Sequence, residues 1–326
     1  MSATTSIAWT HHTFNPWWGC RKVSPGCANC YAEALDKRFG GGNWSGGHRF
    51  FGASHWEEPL EWNRLARKRG ERCRVFCASM ADVFECGDIR GALLDSEREK
   101  LFHLIERTPS LDWLLLTKRP HNVLRMVPWG HEAHTWPSNV WIGTSVEDQK
   151  RADERIPELL QIPARIRFLS VEPLLGPVNL EPFLMCSACG GGGYVGGGSD
   201  MEGENVDPGY PCECTEEGTR PPTPPISWVI VGGESGRGAR PCRVEWIRSV
   251  VRQCKDSDVP CFVKQLGAKP YEDQTASTWP GGWGPQVECI LCRPAPAHET
   301  YGLRDPKGGD TSEWPEDLRL RELPTR

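Results

Sequence analysis

Three cysteines fall within the segment TFNPWWGCRKVSPGCANCYAE: Cys20, Cys27 and Cys30, spaced C-x6-C-x2-C. Thiolates are soft ligands, and four of them, or thiolates mixed with imidazoles, close a tetrahedral zinc site. Three in one loop leave a coordination position open, as an iron–sulfur cluster does when one iron must bind a substrate or cofactor. A structural zinc completed by His11, His12 or a remote cysteine is the other reading, and spacing alone leaves both open. Pro16, Gly19, Pro25 and Gly26 make the segment a loop, and a helix is expected from about residue 28. Thiolates at such a helix start gain from the helix dipole and its free N–H groups.

A second thiol set lies far along the chain. Cys186-x2-Cys189 and Cys212-x-Cys214 flank a Gly-rich, acidic stretch with too little apolar content to fold without a staple. Two short knuckles across such a loop have the pattern of a zinc ribbon, with an auxiliary iron–sulfur cluster as the alternative. Cys289 and Cys292 form a further pair in a poorly patterned region. Cys73, Cys77, Cys86, Cys242, Cys254 and Cys261 read as ordinary buried or half-buried thiols.

The 15 cysteines do not read as a disulfide framework. The N-terminal MSATTSIAWTHH has no basic segment leading into an apolar run, so no signal peptide is expected. The apolar runs are too short to span a bilayer. A cytoplasmic location with reduced thiols is the expectation, with no membrane partner. The net charge of −5 gives no general footprint for nucleic acid. The densest basic run is RLARKRGERCR (64–74), with the aromatic segment HRFFGASHW (48–56) beside it. Basic residues interleaved with aromatics can grip a phosphate backbone. A solvated helix end is the plainer account.

Short β-rich runs alternate with helical patterns. Strands are expected at 6–13, 74–79, 112–117, 140–145, 166–171, 227–232 and 260–265. Helices are expected near 28–39, 95–107, 120–126, 148–160 and 243–255, the second opened by a capping box from Ser96 to Glu99. Repeated strand–helix units predict an α/β fold with a parallel sheet or barrel. Polar groups follow nearly every strand: Asn15, Ser79, Asp82, Thr117, Lys118, Ser145, Glu147, Ser170, Glu172, Glu234, Lys264 and Gln265. In a barrel these gather at the C-terminal mouth, where active sites are built. The division expected is a first barrel part (1–180), an inserted Cys-rich module (181–225), the last barrel strands (226–268) and an irregular C-terminal extension packing on the barrel (269–326).

With three cysteines after a first strand and Tyr31 directly behind the last of them, the chain resembles the radical S-adenosylmethionine superfamily, although the first gap is longer than that superfamily's usual C-x3-C-x2-C. TFNPWWGC…CANCYAE is similar to the loop of spore-photoproduct-lyase-like members. The whole pattern resembles a phage-associated three-Cys-motif family of unknown function, through VFCASMADVF, LLLTKRP, VWIGTSVEDQKRADERIP, RFLSVEPLLGPV, WVIVGGESGRGARP, VPCFVKQLG and GGDTSEWPEDLRLRELP.

The resemblance implies a partial or near-complete (β/α) barrel of the radical S-adenosylmethionine type. It implies a [4Fe-4S] cluster on Cys20, Cys27 and Cys30, with S-adenosylmethionine on the open iron as the source of a 5′-deoxyadenosyl radical. A nucleic acid or nucleotide is the implied substrate, for modification or repair. An electron donor such as flavodoxin or ferredoxin would be a partner, with room for a further protein partner. Gly232, Gly233 and Glu234, in VIVGGESG, resemble the superfamily segment that meets the methionyl ammonium, although here it follows a late strand. Ser170 and Glu172, in SVEP, are second candidates for that task. Tyr31 and Lys118, with Arg119, are candidates toward the rest of the cofactor. The non-enzymatic alternative is a binding or interaction module stabilised by a structural zinc or iron–sulfur site.

Overall fold

Seven strands form one parallel sheet in the computed structural model: β1 (His12–Phe14), β2 (Cys73–Cys77), β3 (Leu111–Thr117), β4 (Val140–Ser145), β5 (Ile166–Val171), β6 (Trp228–Gly232) and β7 (Cys261–Gln265). The structure describes residues 5, 7–44, 47–86, 91–185, 194–195, 198–199, 205–207, 210–211, 225–273, 298–300 and 302–324. The strands lie side by side in chain order. Helices α1 (Tyr31–Arg38), α2 (Ala53–Arg69), α3 (Gly91–Arg107), α4 (Gln149–Leu160) and α5 (Val244–Asp256) supply the main crossovers. Sequential parallel order with one hand of crossover puts the helices on one face and lets the other face curl inward.

Side-chain alternation shows the curl directly. Val75 and Cys77, Trp113 and Leu115, Leu169 and Val171, and Val229 and Val231 belong to the large core under the helices. Their alternates Phe76, Leu114, Trp141, Ile166, Phe168, Trp228, Ile230 and Phe262 form a second, separate core on the inner face. Trp9 joins it from below. Its ring centre lies 4.7 Å from that of Phe76 on β2 and 5.9 Å from that of Trp228 on β6. In a flat sheet, strands four places apart are separated by about 19 Å. One indole reaches both because the sheet is an open half-barrel. The inner face is therefore an aromatic plug at the N-terminal ends of the strands and polar at the C-terminal ends.

The β7 edge of the sheet is covered, which removes unpaired strand groups from water. On β7, Val263 N–H donates to Leu320 O at 3.0 Å and Glu322 N–H donates to Cys261 O at 3.1 Å, with an antiparallel bridge between Phe262 and Arg321. Trp314, 2 % exposed, anchors this segment, and the Arg321 guanidinium lies over both Phe262 and Trp314. On the β1 side, α2 stacks Trp62 on His12 at 4.3 Å.

Several expected boundaries shift. The first strand begins at His12 rather than residue 6, because Trp9 belongs to a turn feeding the plug. Of helix α2, only the solvated end within the basic run is expected from the sequence; Pro59 inside it hides the period carried by Trp56, Leu60 and Ala66 and so its start at Ala53. Helix α3 starts at Gly91, so the Ser96–Glu99 capping box falls inside it. In the inserted region, two antiparallel pairs are described, Tyr194–Val195 with Tyr210–Pro211 and Gly198–Ser199 with Asn205–Asp207. Cys186, Cys189, Cys212, Cys214, Cys289 and Cys292 lie outside the described residues. No described helix is long and apolar enough to cross a membrane.

Gly143, midway along β4, reports how tightly the plug is filled. A Cβ there would meet the Phe168 ring at 2.5 Å. Gly143→Ala is expected to lower stability by about 1–3 kcal/mol through overpacking, measured by urea unfolding. An unchanged midpoint would mean that the inner face is loosely packed.

Candidate functional site

The chain leaves β1 at the polar end of the half-barrel and folds at once across the mouth. Asn15 holds the first step: its Oδ1 accepts from Met80 N–H at 2.7 Å, and its amide pairs with Ser79. Trp17–Trp18 then pairs antiparallel with Arg49–Phe50. Cys20 follows; Cys27 ends a 3-10 turn over Pro25–Cys27, and Cys30 is the residue before α1. All three thiols are half-buried, whereas Cys77, Cys242, Cys254 and Cys261 are buried in the fold. Cys86 departs from its expected burial: it is exposed, with Arg125 Nη2 2.6 Å from its sulfur.

Two carboxylates from distant strands clamp this loop. Glu147, just past β4, is fully buried and accepts from Ser24 Oγ at 2.6 Å and from Arg155 Nη1 at 2.9 Å. Lys118 Nζ stands 3.7 Å from the same carboxylate. Ser24 Oγ is also 3.8 Å from Cys27 Sγ. The approach is so close that a Cβ on Gly26 would lie 2.7 Å from the Glu147 carboxyl carbon. Glu234, beyond β6, forms the second clamp. Arg240 grips it through Nε, Nη2 and its own backbone N–H, at 2.9, 2.6 and 2.8 Å. Asn29 Nδ2 donates to Glu234 at 3.0 Å, and Arg240 Nη1 reaches Pro25 O. Burial pushes the Glu234 carboxyl up, but these hydrogen bonds outweigh it and hold its pKa below the ordinary value.

A third group surrounds Cys20. Asp82 accepts from Thr117 Oγ1 at 2.7 Å, Lys118 N–H at 3.0 Å and Arg119 Nη1 at 2.7 Å. Arg119 Nη1 also points at Cys20 Sγ, 3.8 Å away, and Nη2 donates to Arg21 O. Arg119 is therefore tied to the loop and to Asp82. Burial, with Asp82 nearby, pushes the Cys20 thiol up, and Arg119 opposes this.

The remaining sequence-derived residues fall around the same mouth. The Tyr31 ring is half-exposed while its hydroxyl donates to Ser79 O at 2.6 Å. Burial of that hydroxyl, with Cys30 and Glu172 near, pushes its pKa up. Glu172 accepts from Lys264 Nζ at 2.8 Å and Gln265 Nε2 at 3.0 Å. Ser170 is buried on β5. Gly232 and Gly233 run against β7; Gly233 exchanges hydrogen bonds with Gln265.

His11 and His12 sit at the start of β1, where His11 Nδ1 accepts from Arg74 N–H, so they are at the plug end and not beside the thiols. The basic run likewise closes α2 at Arg67, Lys68 and Arg69, about 16 Å of helix beyond Trp56, where the aromatic segment ends. Ser24, Asn29 and Arg240 carried no signal in the sequence beyond their place in loops. Arg155 reads as one more charge of an amphipathic helix.

Among the described residues, no three His, Cys, Asp or Glu side chains are arranged to hold a single metal ion. A cubane cluster makes a different demand, because each thiolate binds a different iron at a separate corner. The three half-buried thiols on one clamped loop are the donors this chain would offer such a group.

An open (β/α) half-barrel with a three-cysteine loop folded over its mouth is the architecture these observations define. The chain belongs to a family described as a protein of unknown function (DUF5131), whose model matches residues 4–288. No curated protein and no solved structure matches the chain.

Removing Glu147 would leave Arg155 buried with Ser145 O but without its charge partner. Glu147→Ala is expected to cost about 3–5 kcal/mol and to speed amide exchange at Ser24, Gly26 and Cys27; unchanged exchange would show that Glu147 does not hold the loop. The Glu234 clamp should respond to acid. Its lowered pKa makes its stabilisation full above the ordinary glutamate range and lost as pH falls through the folded-state value. Glu234→Gln should flatten the acid limb of a stability–pH curve, and an unaltered limb would count against the clamp.

Proposed function

We propose that the protein is a radical S-adenosylmethionine enzyme whose [4Fe-4S] cluster is held by Cys20, Cys27 and Cys30, acting on a nucleic acid or nucleotide. One observation carries the reading: a loop with three half-buried thiols lies at the polar mouth of a parallel half-barrel. When bound there, such a cluster supplies one-electron chemistry, the reductive cleavage of S-adenosylmethionine to a 5′-deoxyadenosyl radical.

The chain's own residues then have definite tasks. Glu147 and Ser24 fix the turn that carries Cys27. Asn29, Glu234 and Arg240 fix the helix entry that carries Cys30. Glu234 is already engaged by four hydrogen bonds, so it serves first as the loop's anchor; an ammonium group would have to share it. Tyr31, Glu172 and Lys264 face the mouth and would orient a bound ligand. The aromatic plug beneath excludes water from the closed end of the half-barrel. A base-containing substrate is supported by the rim: Arg49 lies over Trp18 at 5.1 Å and over Phe51 at 5.4 Å, beside the cysteine loop. The thiols of the insert would hold zinc or an auxiliary cluster.

The test is anaerobic reconstitution with iron and sulfide, followed by reduction with S-adenosylmethionine and assay for 5′-deoxyadenosine. The intact protein should be brown and form the product. Cys20→Ala, Cys27→Ala and Cys30→Ala should each lose the cluster's absorption and the product, whereas His11→Ala and His12→Ala should lose neither. A colourless protein with stoichiometric zinc would establish the structural-metal alternative instead.

A further inference from the structure

The side chain best placed to act on the candidate cluster from outside its ligand set is Arg119. We propose that Arg119 is a positioning and potential-setting residue: its guanidinium, held by Asp82, donates to the Cys20 sulfur and stabilises the reduced cluster. The inference rests on the cluster assignment of the preceding section and adds a role for two residues that do not bind iron.

The arrangement is built from both sides. Arg119 is 7 % exposed and Asp82 5 %, so neither charge is explained by solvent. Asp82 is fixed by four donors: Phe84 N–H, Thr117 Oγ1, Lys118 N–H and Arg119. The guanidinium fork is thereby aimed, with Nη1 shared between Asp82 at 2.7 Å and Cys20 Sγ at 3.8 Å and Nη2 on Arg21 O at 2.8 Å. Arg119 thus ties the backbone just after Cys20 while presenting its charge to the sulfur. Glu85, 1 % exposed, accepts from Arg21 N–H on the other side of this turn, so the pocket contains two carboxylates and would repel an unaided thiolate. A carboxylate that orients a donor, which in turn contacts a metal's ligand, is how outer-shell residues tune metal sites. The potentials of iron–sulfur clusters depend on net charge, exposure and hydrogen bonds to sulfur. The reduced cluster carries one more negative charge than the oxidised one, so a nearby fixed cation favours reduction.

The expected result is directional. Reconstituted wild-type, Arg119→Gln and Arg119→Lys proteins are compared for iron and sulfide content, thermal midpoint, and cluster potential by EPR-monitored redox titration at one pH without S-adenosylmethionine. Arg119→Gln should shift the midpoint of its loaded fraction to more negative values, and Arg119→Lys should shift it less. A merely structural Arg119 would change loading or melting but leave the potential of the loaded fraction in place, and that outcome overturns the proposal. Should Arg119→Gln not fold, the wild-type protein still decides. With guanidinium-15N arginine incorporated, the reduced cluster should show a nitrogen hyperfine coupling that Arg119→Lys removes; its absence in wild type overturns the proposal. A wild-type protein that takes up no iron defeats the cluster assignment itself, a result separate from either of these.

Discussion

Glu147 carries a formal charge at a position with no access to water, and the mouth of the half-barrel is arranged around that constraint. A buried carboxylate is tolerated only with partners close by, and its partners come from three places: Arg155 on α4, Lys118 at the end of β3, and Ser24 on the cysteine loop. The first two satisfy the charge. The third uses it, because Ser24 can reach Glu147 only if the loop lies flat across the mouth, with a glycine at position 26 to let the backbone through. Glu234 repeats the device from the far side with Arg240 and Asn29. The loop with three thiols is thus held by side chains of strands that are not its neighbours in the sheet.

Such clamps need a sheet that brings its ends toward each other. The plug supplies this. Trp9, Phe76, Trp141, Phe168 and Trp228 fill the inner face with rings in edge and tilted contacts, and the fit leaves Gly143 no room for a methyl group. The hydrophobic work is done at one end of the strands and the electrostatic work at the other. The polar end can therefore be irregular without loss of the fold.

The strands were legible as short runs rich in branched and aromatic residues: VWIGTS at 140–145 and IRFLSV at 166–171 match the strands found, with all but Arg167 buried. The polar residues closing each strand were legible for the same reason, since strand ends locate them. What could not be read was partnership. Asn29 and Glu234 are separated by 205 residues, and nothing in either segment names the other. Arg119 reads as a candidate toward a ligand, but Asp82, in a different motif, turns it toward Cys20. The end of helix α2 was legible in the basic run, but Pro59 and an aromatic start hid its first turns, and with them the separation of the basic run from the aromatic rim. The cysteines of the inserted region remain a reading of spacing.

The seal on β7 has a consequence for the order in which the molecule can be completed. Every strand of the sheet precedes residues 308–322 in the chain, so during synthesis the half-barrel can assemble while its last strand still presents open N–H and C=O groups. A nascent chain at that stage resembles an unfinished sheet, the form most prone to pair with a second copy. Arrival of Trp314, Leu320 and Glu322 ends that interval. The stretch between the strand and its seal can differ in length at small entropic cost, since loop closure depends only weakly on length. Selection would therefore act on the two ends of that stretch far more than on its middle.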